Sequence, residues 1–310
     1  MANKCPFFGK CGGCKFDFSA PDYREQKRKD IKFPNITGEP IWLEPGTRRR
    51  AEFAVCWGQF GLYESGTKNI IPITHCPNLV PEINEILPKL AQLPWSGSAQ
   101  CLVTKCDNGI DVAITSNVPY LSSELRNAIL DLPVISASWN NKIIKHDRKP
   151  VVTFDDIQVE YPSGAFLQPS IEGANELRRL VTEYARGYNR IADLFCGLGN
   201  FTFTLNADGF DIVGTGVKRD LFKQPLTVGM LKNYDCVVMD PPRAGASEQC
   251  AELAKSNVKR IIYVSCNPST LRHDLHLLEN GGYEVVTLIP VDQFVGSSHW
   301  EMFCVLDKQS

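Results

Sequence analysis

The chain has 310 residues, of which 43% are hydrophobic and 22% charged, so it can bury a large core as an ordinary soluble globular protein does. A formal charge of −2 excludes a global basic field, although a local stripe such as Arg48-Arg49-Arg50 can supply phosphate contacts inside an acidic protein. No apolar run approaches the ~20 residues that span a bilayer. Met1-Ala2-Asn3-Lys4-Cys5 lacks the apolar core of a signal peptide, so the expected compartment is the cytosol. Neither a membrane nor an obligate protein partner is expected.

Residues 1–35 are rich in Cys and Gly and then charged from Tyr23 to Lys32; they are too short and too polar to pack alone. Twelve cysteines are many for a cytosolic chain, where clustered thiols more often mean metal or catalysis than disulfides. Cys5-x5-Cys11-x2-Cys14 has the C-x2-C step common to zinc and iron–sulfur sites. The best fourth thiolate is Cys76, in Thr74-His75-Cys76-Pro77; a zinc site completed by His75 is the alternative. Cys56, Cys101, Cys106, Cys236, Cys250 and Cys304 lie in or beside apolar runs and read as small buried hydrophobes.

From Arg48 the pattern alternates as strands do. Arg50–Val55, Phe60–Tyr63 and Ile70–Ile73 are punctuated by glycine and polar residues as in hairpins. A helix is predicted over Pro81–Leu93, strands over Ala99–Cys106 and Ile110–Thr115, and a helix over Ser122–Leu132 with Ser122 or Ser123 as its cap. Val134–Ser138 and Val151–Tyr161 read as strands. An α+β domain is expected at 36–160, and the basic triplet at its edge reads equally as a phosphate grip or a solvated strand end. From Glu172 helix and strand alternate: helix Glu176–Tyr188, strand Ile191–Phe195, strand Cys236–Met239, helix Ser247–Ser256, strand Arg260–Val264, helix Thr270–Leu278, and strands Glu284–Ile289 and Met302–Leu306. Such alternation builds a mostly parallel sheet covered on both faces, and the last two strands, joined without room for a helix, should pair antiparallel.

The chemistry gathers at strand ends, where open α/β sheets hold their ligands. Asp193-Leu194-Phe195-Cys196-Gly197-Leu198-Gly199-Asn200 runs from a strand into a glycine turn that lets a ligand approach the backbone. The third glycine of a dinucleotide fingerprint is missing. Asp240-Pro241-Pro242-Arg243 fixes an aspartate at a strand exit stiffened by prolines. Cys266 ends the Arg260–Val264 run and precedes Asn267-Pro268, a turn into a helix whose positive end favours thiolate. Glu301 opens the next run between Trp300 and Met302, where desolvation raises a carboxyl pKa toward that of a general base, the alternative being a surface-strand glutamate; His299 reads equally as orienting it or as capping the strand. A soft nucleophile and a carboxylate base in one cleft point to methyl transfer onto a pyrimidine carbon.

Taken in order, these motifs resemble the S-adenosylmethionine-dependent RNA (uracil-5-)-methyltransferase family, especially its iron–sulfur-containing 23S ribosomal RNA branch. The likeness covers most of the chain. It implies a C-terminal Rossmann-like class I methyltransferase domain (161–310), an α+β RNA-binding middle domain (36–160) and a small N-terminal iron–sulfur motif (1–35). It implies that Cys5, Cys11, Cys14 and Cys76 hold a [4Fe–4S] cluster rather than zinc. It implies that Gln168, in Phe166-Leu167-Gln168, lies next to the adenosylmethionine and uridine sites. Asp193, Phe195, Gly197, Gly199 and Asn200 match the cofactor loop, Asp240 the cleft aspartate, Asp220 an aspartate near the adenine, Cys266 the nucleophile and Glu301 the base. The implied partner is RNA, 23S rRNA first and tRNA second. One departure is plain: only about thirty residues run from Ile191 to Asp220, too few for the family's second strand with its ribose-holding acid, for which Asp208 and Asp211 are poor substitutes. Two rival functions stand beside this one. One is an amino-group methyltransferase reading Asp240-Pro241-Pro242, with Arg243 where those enzymes place an aromatic ring. The other is an iron–sulfur RNA-binding protein with impaired catalysis.

Overall fold

The structure is a computed structural model and describes residues 4–34 and 36–309; residues 1–3, on which the N-terminal signal-peptide reading partly rests, lie outside it. In chain order the elements are α1 (Tyr23–Lys29), β1 (Ile41–Trp42), β2 (Arg50–Cys56), β3 (Gln59–Tyr63), β4 (Ile70–Pro72), α2 (Pro81–Ala91), β5 (Ser98–Cys106), β6 (Gly109–Ser116), α3 (Ser123–Leu130), β7 (Ser136–Trp139) and β8 (Lys142–His146). There follow β9 (Val151–Phe154), β10 (Ile157–Glu160), α4 (Ile171–Ala185), β11 (Ile191–Leu194), α5 (Thr202–Leu205), β12 (Asp208–Asp211), β13 (Val217–Lys218) and α6 (Val228–Leu231). The last are β14 (Cys236–Met239), α7 (Ser247–Ala254), β15 (Arg260–Ser265), α8 (Pro268–Asn280), β16 (Tyr283–Asp292) and β17 (Glu301–Lys308). No helix among the described residues is long and apolar enough to cross a membrane.

The chain forms two compact units: residues 1–29, 44–171 and 295–298 make one, and residues 30–43, 172–294 and 299–310 the other. The first unit is built on a seven-stranded sheet of order β4-β3-β2-β5-β6-β7-β8, with the separate β9–β10 hairpin. One face of that sheet is covered by α2 and α3, whose Ile83, Leu87, Leu90, Leu125 and Ile129 pack with Phe53, Val103 and Val112 in a single core. Helical spacing of these residues supplies the apolar stripe. Ser122 caps α3 by accepting from Leu125 N, as its position before the apolar pattern predicts.

The second unit is an eight-stranded sheet of order β1-β16-β17-β15-β14-β11-β12-β13. Neighbours from β15 through β14 and β11 to β13 run parallel, while β17 is antiparallel to both β15 and β16. Successive residues feed opposite cores: Val237, Met239, Ile261 and Tyr263 go to one face, and Cys236, Val238, Ile262 and Val264 to the other. Burial on both faces explains the unbroken apolar runs. The chain leaves β11 toward β12 in one direction and later returns to β14 on the other side, so a topological switch point lies between the ends of β11 and β14. There Asp240 N donates to Leu194 O at 3.3 Å.

Three local expectations change. Val151–Tyr161 is a hairpin rather than one strand, because Asp155 turns the chain at φ 51°. The charged stretch after Tyr23 forms the helix α1, with Tyr23 and Lys27 buried. Most unusual, β12 and β13 pair in parallel although only residues 212–216 connect them. Parallel neighbours ordinarily need a crossover of a dozen or more residues, usually a helix. The second strand missed in the sequence is therefore present as β12, but its crossover helix is not.

Candidate active site

Cys266, Glu301 and Asp240 lie at neighbouring strand ends of the eight-stranded sheet, and the strand register puts them there. β15 and β17 pair antiparallel with Ser265 opposite Met302, so Cys266 and Glu301 occupy the next rung. Val291 of β16 pairs with Glu301 from the other side. Asp240 leaves β14, which runs parallel to β15 with Met239 opposite Tyr263. The turn carrying Cys266 is tied down locally: Asn267 accepts from Ser269 N to cap α8, Pro268 takes its first turn, and Asn267 Nδ2 donates to Arg243 O at 2.8 Å. That last bond joins the Asp-Pro-Pro-Arg turn to the cysteine turn.

Burial sets the charges. Cys266 is half-buried, and desolvation pushes its thiol up to about 12, with Glu301 and Asp240 adding repulsion and Arg243 opposing it. The helix end expected to favour thiolate is outweighed in this cleft. Glu301 is 3% exposed. Its carboxyl lies well above the usual range, first through desolvation and then through Asp240, with a hydrogen bond from Gln293 pulling it down. A surface-strand glutamate is thereby excluded. His299 stands edge-on to Phe294, ring centres 6.0 Å apart, and Trp300 packs edge-on against Trp42 at 5.2 Å.

The glycine loop follows β11. Asp193 is fully buried; Thr202 Oγ1 donates to its Oδ2 at 2.6 Å, and burial raises the carboxyl to about 7. Asp193 Oδ1 and Asn200 Nδ2 are buried with no hydrogen-bond partner among the described residues, so each has capacity left for a ligand. Phe195 holds φ 60° and packs against Phe222 at 5.4 Å. At Gly197 (φ 51°) a Cβ would meet nothing within 4 Å, so the turn is open on that side. These residues fit a polar ligand laid over the loop. The neighbouring strand offers less: Asp211 Oδ2 accepts from Gly197 N at 2.9 Å and its Oδ1 from Ile212 N at 2.6 Å, so the short connection folds back on the loop. Asp208 instead accepts from Tyr234 OH. Asp220 lies just past β13, with its carboxyl lowered by Lys223.

Gln168 belongs to the other unit, where it is 5% exposed and its carbonyl accepts from Arg49 Nε at 3.2 Å. Arg49 N donates to Pro169 O, and the Arg50 guanidinium lies 5.5 Å over the Phe166 ring. The basic triplet is therefore not simply a solvated strand end: Arg49 is buried, and it and Arg50 brace the Phe166-Leu167-Gln168 loop. Side-chain direction, not composition, decides this. Arg48 lines a cavity of about 160 Å³ together with Cys5, Cys11, Cys14, Cys76 and His75. Mutual repulsion among these thiols, after burial, pushes Cys14 up to about 12. Among the described residues no three metal-binding side chains converge on a single-ion site.

Comparison with known proteins places this arrangement. The fold is the α/β methyltransferase fold: the crystal structure of the tRNA (uracil-54, C5)-methyltransferase of Pyrococcus abyssi with S-adenosyl-L-homocysteine superposes with TM-score 0.68, at 20% identity over 91% of this chain and 81% of that one. The profile described as tRNA (uracil-5-)-methyltransferase matches residues 218–309, which hold Asp220, Asp240, Cys266 and Glu301. An uncharacterized RNA methyltransferase of Brucella suis is 34% identical over 349 residues, covering 98% of this chain and 84% of the relative. The 23S rRNA (uracil(1939)-C(5))-methyltransferase RlmD of Klebsiella pneumoniae is 26% identical, covering 100% and 82%. The chain belongs to the RNA (uracil-5-)-methyltransferase family. The Brucella match spans 349 positions against 310 residues here, so the relative has residues inside the match that this chain lacks. The β12–β13 connection is one place where the fold itself is short.

Proposed function

We propose that this chain methylates C5 of a uridine in RNA, 23S rRNA being the first choice, through a covalent bond from Cys266 to C6 of the base. The observation that carries the proposal is that Cys266 and Glu301 each lie one residue beyond the paired Ser265 and Met302, close enough for Glu301 and Asp240 both to raise the thiol pKa. Uracil C5 is too weak a nucleophile to be methylated unaided. The Cys266 thiol gives its proton to solvent, and the thiolate adds to C6, forming the S–C6 bond and moving the ring electrons to C5 and O4, the usual role of covalent catalysis. S-adenosylmethionine, which Asp193, Phe195, Gly197, Gly199 and Asn200 would hold over the glycine loop, would supply the methyl group, its sulfonium S–methyl bond breaking as the C5–methyl bond forms and S-adenosylhomocysteine leaving. With the C5–methyl bond formed, Glu301 takes the C5 proton and the S–C6 bond breaks, returning the sulfur and leaving 5-methyluridine. Asp240 steadies the ring through positioned polar contact. The base must leave its stack to enter such a cleft, which favours looped or single-stranded RNA. The role of Gln168 rests on the resemblance alone.

In the same proposal residues 1–35 are the iron–sulfur motif, 36–160 the RNA-binding domain and 161–310 the methyl-transfer domain. Cys5, Cys11, Cys14 and Cys76 hold a [4Fe–4S] cluster. That the four thiols line one cavity supports a site for a sulfur-ligated group, and the choice of a cluster over zinc rests on the resemblance. The choice of 23S rRNA over tRNA follows the name of the Klebsiella relative.

The test is mass spectrometry of denatured enzyme after mixing with RNA carrying 5-fluorouridine and S-adenosylmethionine. Fluorine at C5 gives Glu301 no proton to remove, so a stable RNA adduct at Cys266 is expected. No adduct, with cofactor binding intact, overturns the proposal, and activity surviving in Cys266→Ala favours the amino-group methyltransferase.

A further inference from the structure

A carboxylate that removes a proton must be ionised when the proton is ready to leave. Glu301 works against that: it is 3% exposed, it faces the Asp240 charge from the end of β14, and the Cys266 sulfur from the end of β15. Arg243, in the turn after Asp240, acts on Cys266. What supports the Glu301 charge comes from the remaining neighbour strand. As the chain leaves β16, Gln293 N donates to Val291 O at 2.9 Å, and Val291 is the register partner of Glu301. The turn thus sets the Gln293 side chain beside the first residue of β17. Its Nε2 donates to Glu301 Oε2 at 3.1 Å, and Gln293 is itself 4% exposed. A hydrogen bond to an ionised acceptor in a dry setting is stronger than a neutral one. An amide also adds no charge, so it holds the carboxylate without locking it into the permanent ion pair that Lys or Arg would form.

We propose that Gln293 is a positioning residue for the second half of the reaction: its amide orients Glu301 and stabilises the carboxylate that takes the C5 proton. The inference rests on Cys266 and Glu301 acting as proposed above. It assigns Gln293 to release of the adduct rather than to its formation, because its amide bonds the carboxylate that takes the proton.

The test uses Gln293→Met, which keeps the length and loses the donor, with Gln293→Asn as a second variant whose amide is too short to reach. Three readouts are taken on full-length protein: adduct formation with 5-fluorouridine RNA, adduct level on ordinary uridine RNA, and single-turnover methylation from pH 6 to 10. Expected is a wild-type yield of the fluorinated adduct, because addition is intact. On ordinary RNA a Cys266 adduct accumulates that wild type does not show. Methylation at pH 7 falls about tenfold or more, the size of a lost hydrogen bond to a charged group. The sign follows from the carboxyl: losing a donor that favours the ionised form raises its pKa, so the acid limb moves to higher pH and the deficit shrinks toward pH 9. A wild-type pH profile with no accumulated adduct in either variant overturns the inference. If wild type itself gives no fluorinated adduct, the underlying mechanism has failed and the role of Gln293 falls with it.

Discussion

Cys266 carries a thiol that its surroundings keep protonated. With its pKa pushed up to about 12, the reactive thiolate is a small fraction at neutral pH and grows tenfold per pH unit below that value. Peptide-resolved alkylation of RNA-free protein by iodoacetamide should therefore speed up about tenfold per unit from pH 7 to 9 at Cys266, without levelling. A plateau near pH 7 would show a thiol already activated before RNA arrives. The places of Cys266 and Glu301, the proposed nucleophile and base, were legible in the sequence because each sits where an apolar run begins or ends, and such runs mark strand ends. Gln293 was not legible: in Val291-Asp292-Gln293-Phe294 it reads as a polar turn residue, and only the register of β16 with β17 aims it at Glu301. The contacts of Arg49 and Arg50 with the Phe166-Leu167-Gln168 loop were hidden for the same reason, since composition shows charge and not direction.

Among the elements, β12 and β13 with residues 212–216 between them are the most constrained. Gly214 holds φ 103°, and a Cβ there would stand 1.8 Å from Gly197 O. Thr215 N donates to that same carbonyl at 3.1 Å. Gly214→Ala should therefore cost about 2 kcal/mol or more, combining a forbidden φ with a clash. Gly187→Ala, also at positive φ but with nothing within 4 Å, should cost only its backbone strain of roughly 1 kcal/mol. Thermal melts of the two variants check this; equal shifts would mean that residues 212–216 yield freely. Element type was largely readable here, since both faces of the sheet are buried and its strands are continuous apolar runs. The hairpin β9–β10 escaped because its turn rests on Asp155 at positive φ, a conformation that Asp tolerates without announcing it. The connection between β12 and β13 escaped because its brevity breaks the usual spacing rule for parallel strands.

For the whole molecule, the thiol cavity is where a distant sequence match becomes a spatial one. Cys5, Cys11 and Cys14 come from the first strap of chain and Cys76 from beyond β4, yet all line the same space. Cys14 is also held by its neighbours, since Lys15 N and Phe16 N both donate to Gly296 O at 2.8 Å. Cys14→Ser should lower iron and acid-labile sulfide per chain to a small fraction of wild type and reduce the melting temperature of protein prepared without oxygen. Unchanged metal content would remove Cys14 from the ligand set. Cysteine spacing exposed three of these thiols; the fourth was found by its proline-flanked setting, and no periodicity could have shown the arginine among them.

The two units are interleaved along the chain, which passes from one to the other five times. A ribosome therefore cannot deliver either unit complete until residue 298 has emerged for the first and the final strand for the second. That final strand, β17, lies in the interior of its sheet and brings Glu301 with it. The nascent chain thus carries Cys266 before Glu301, and the two are brought together only once β17 has emerged.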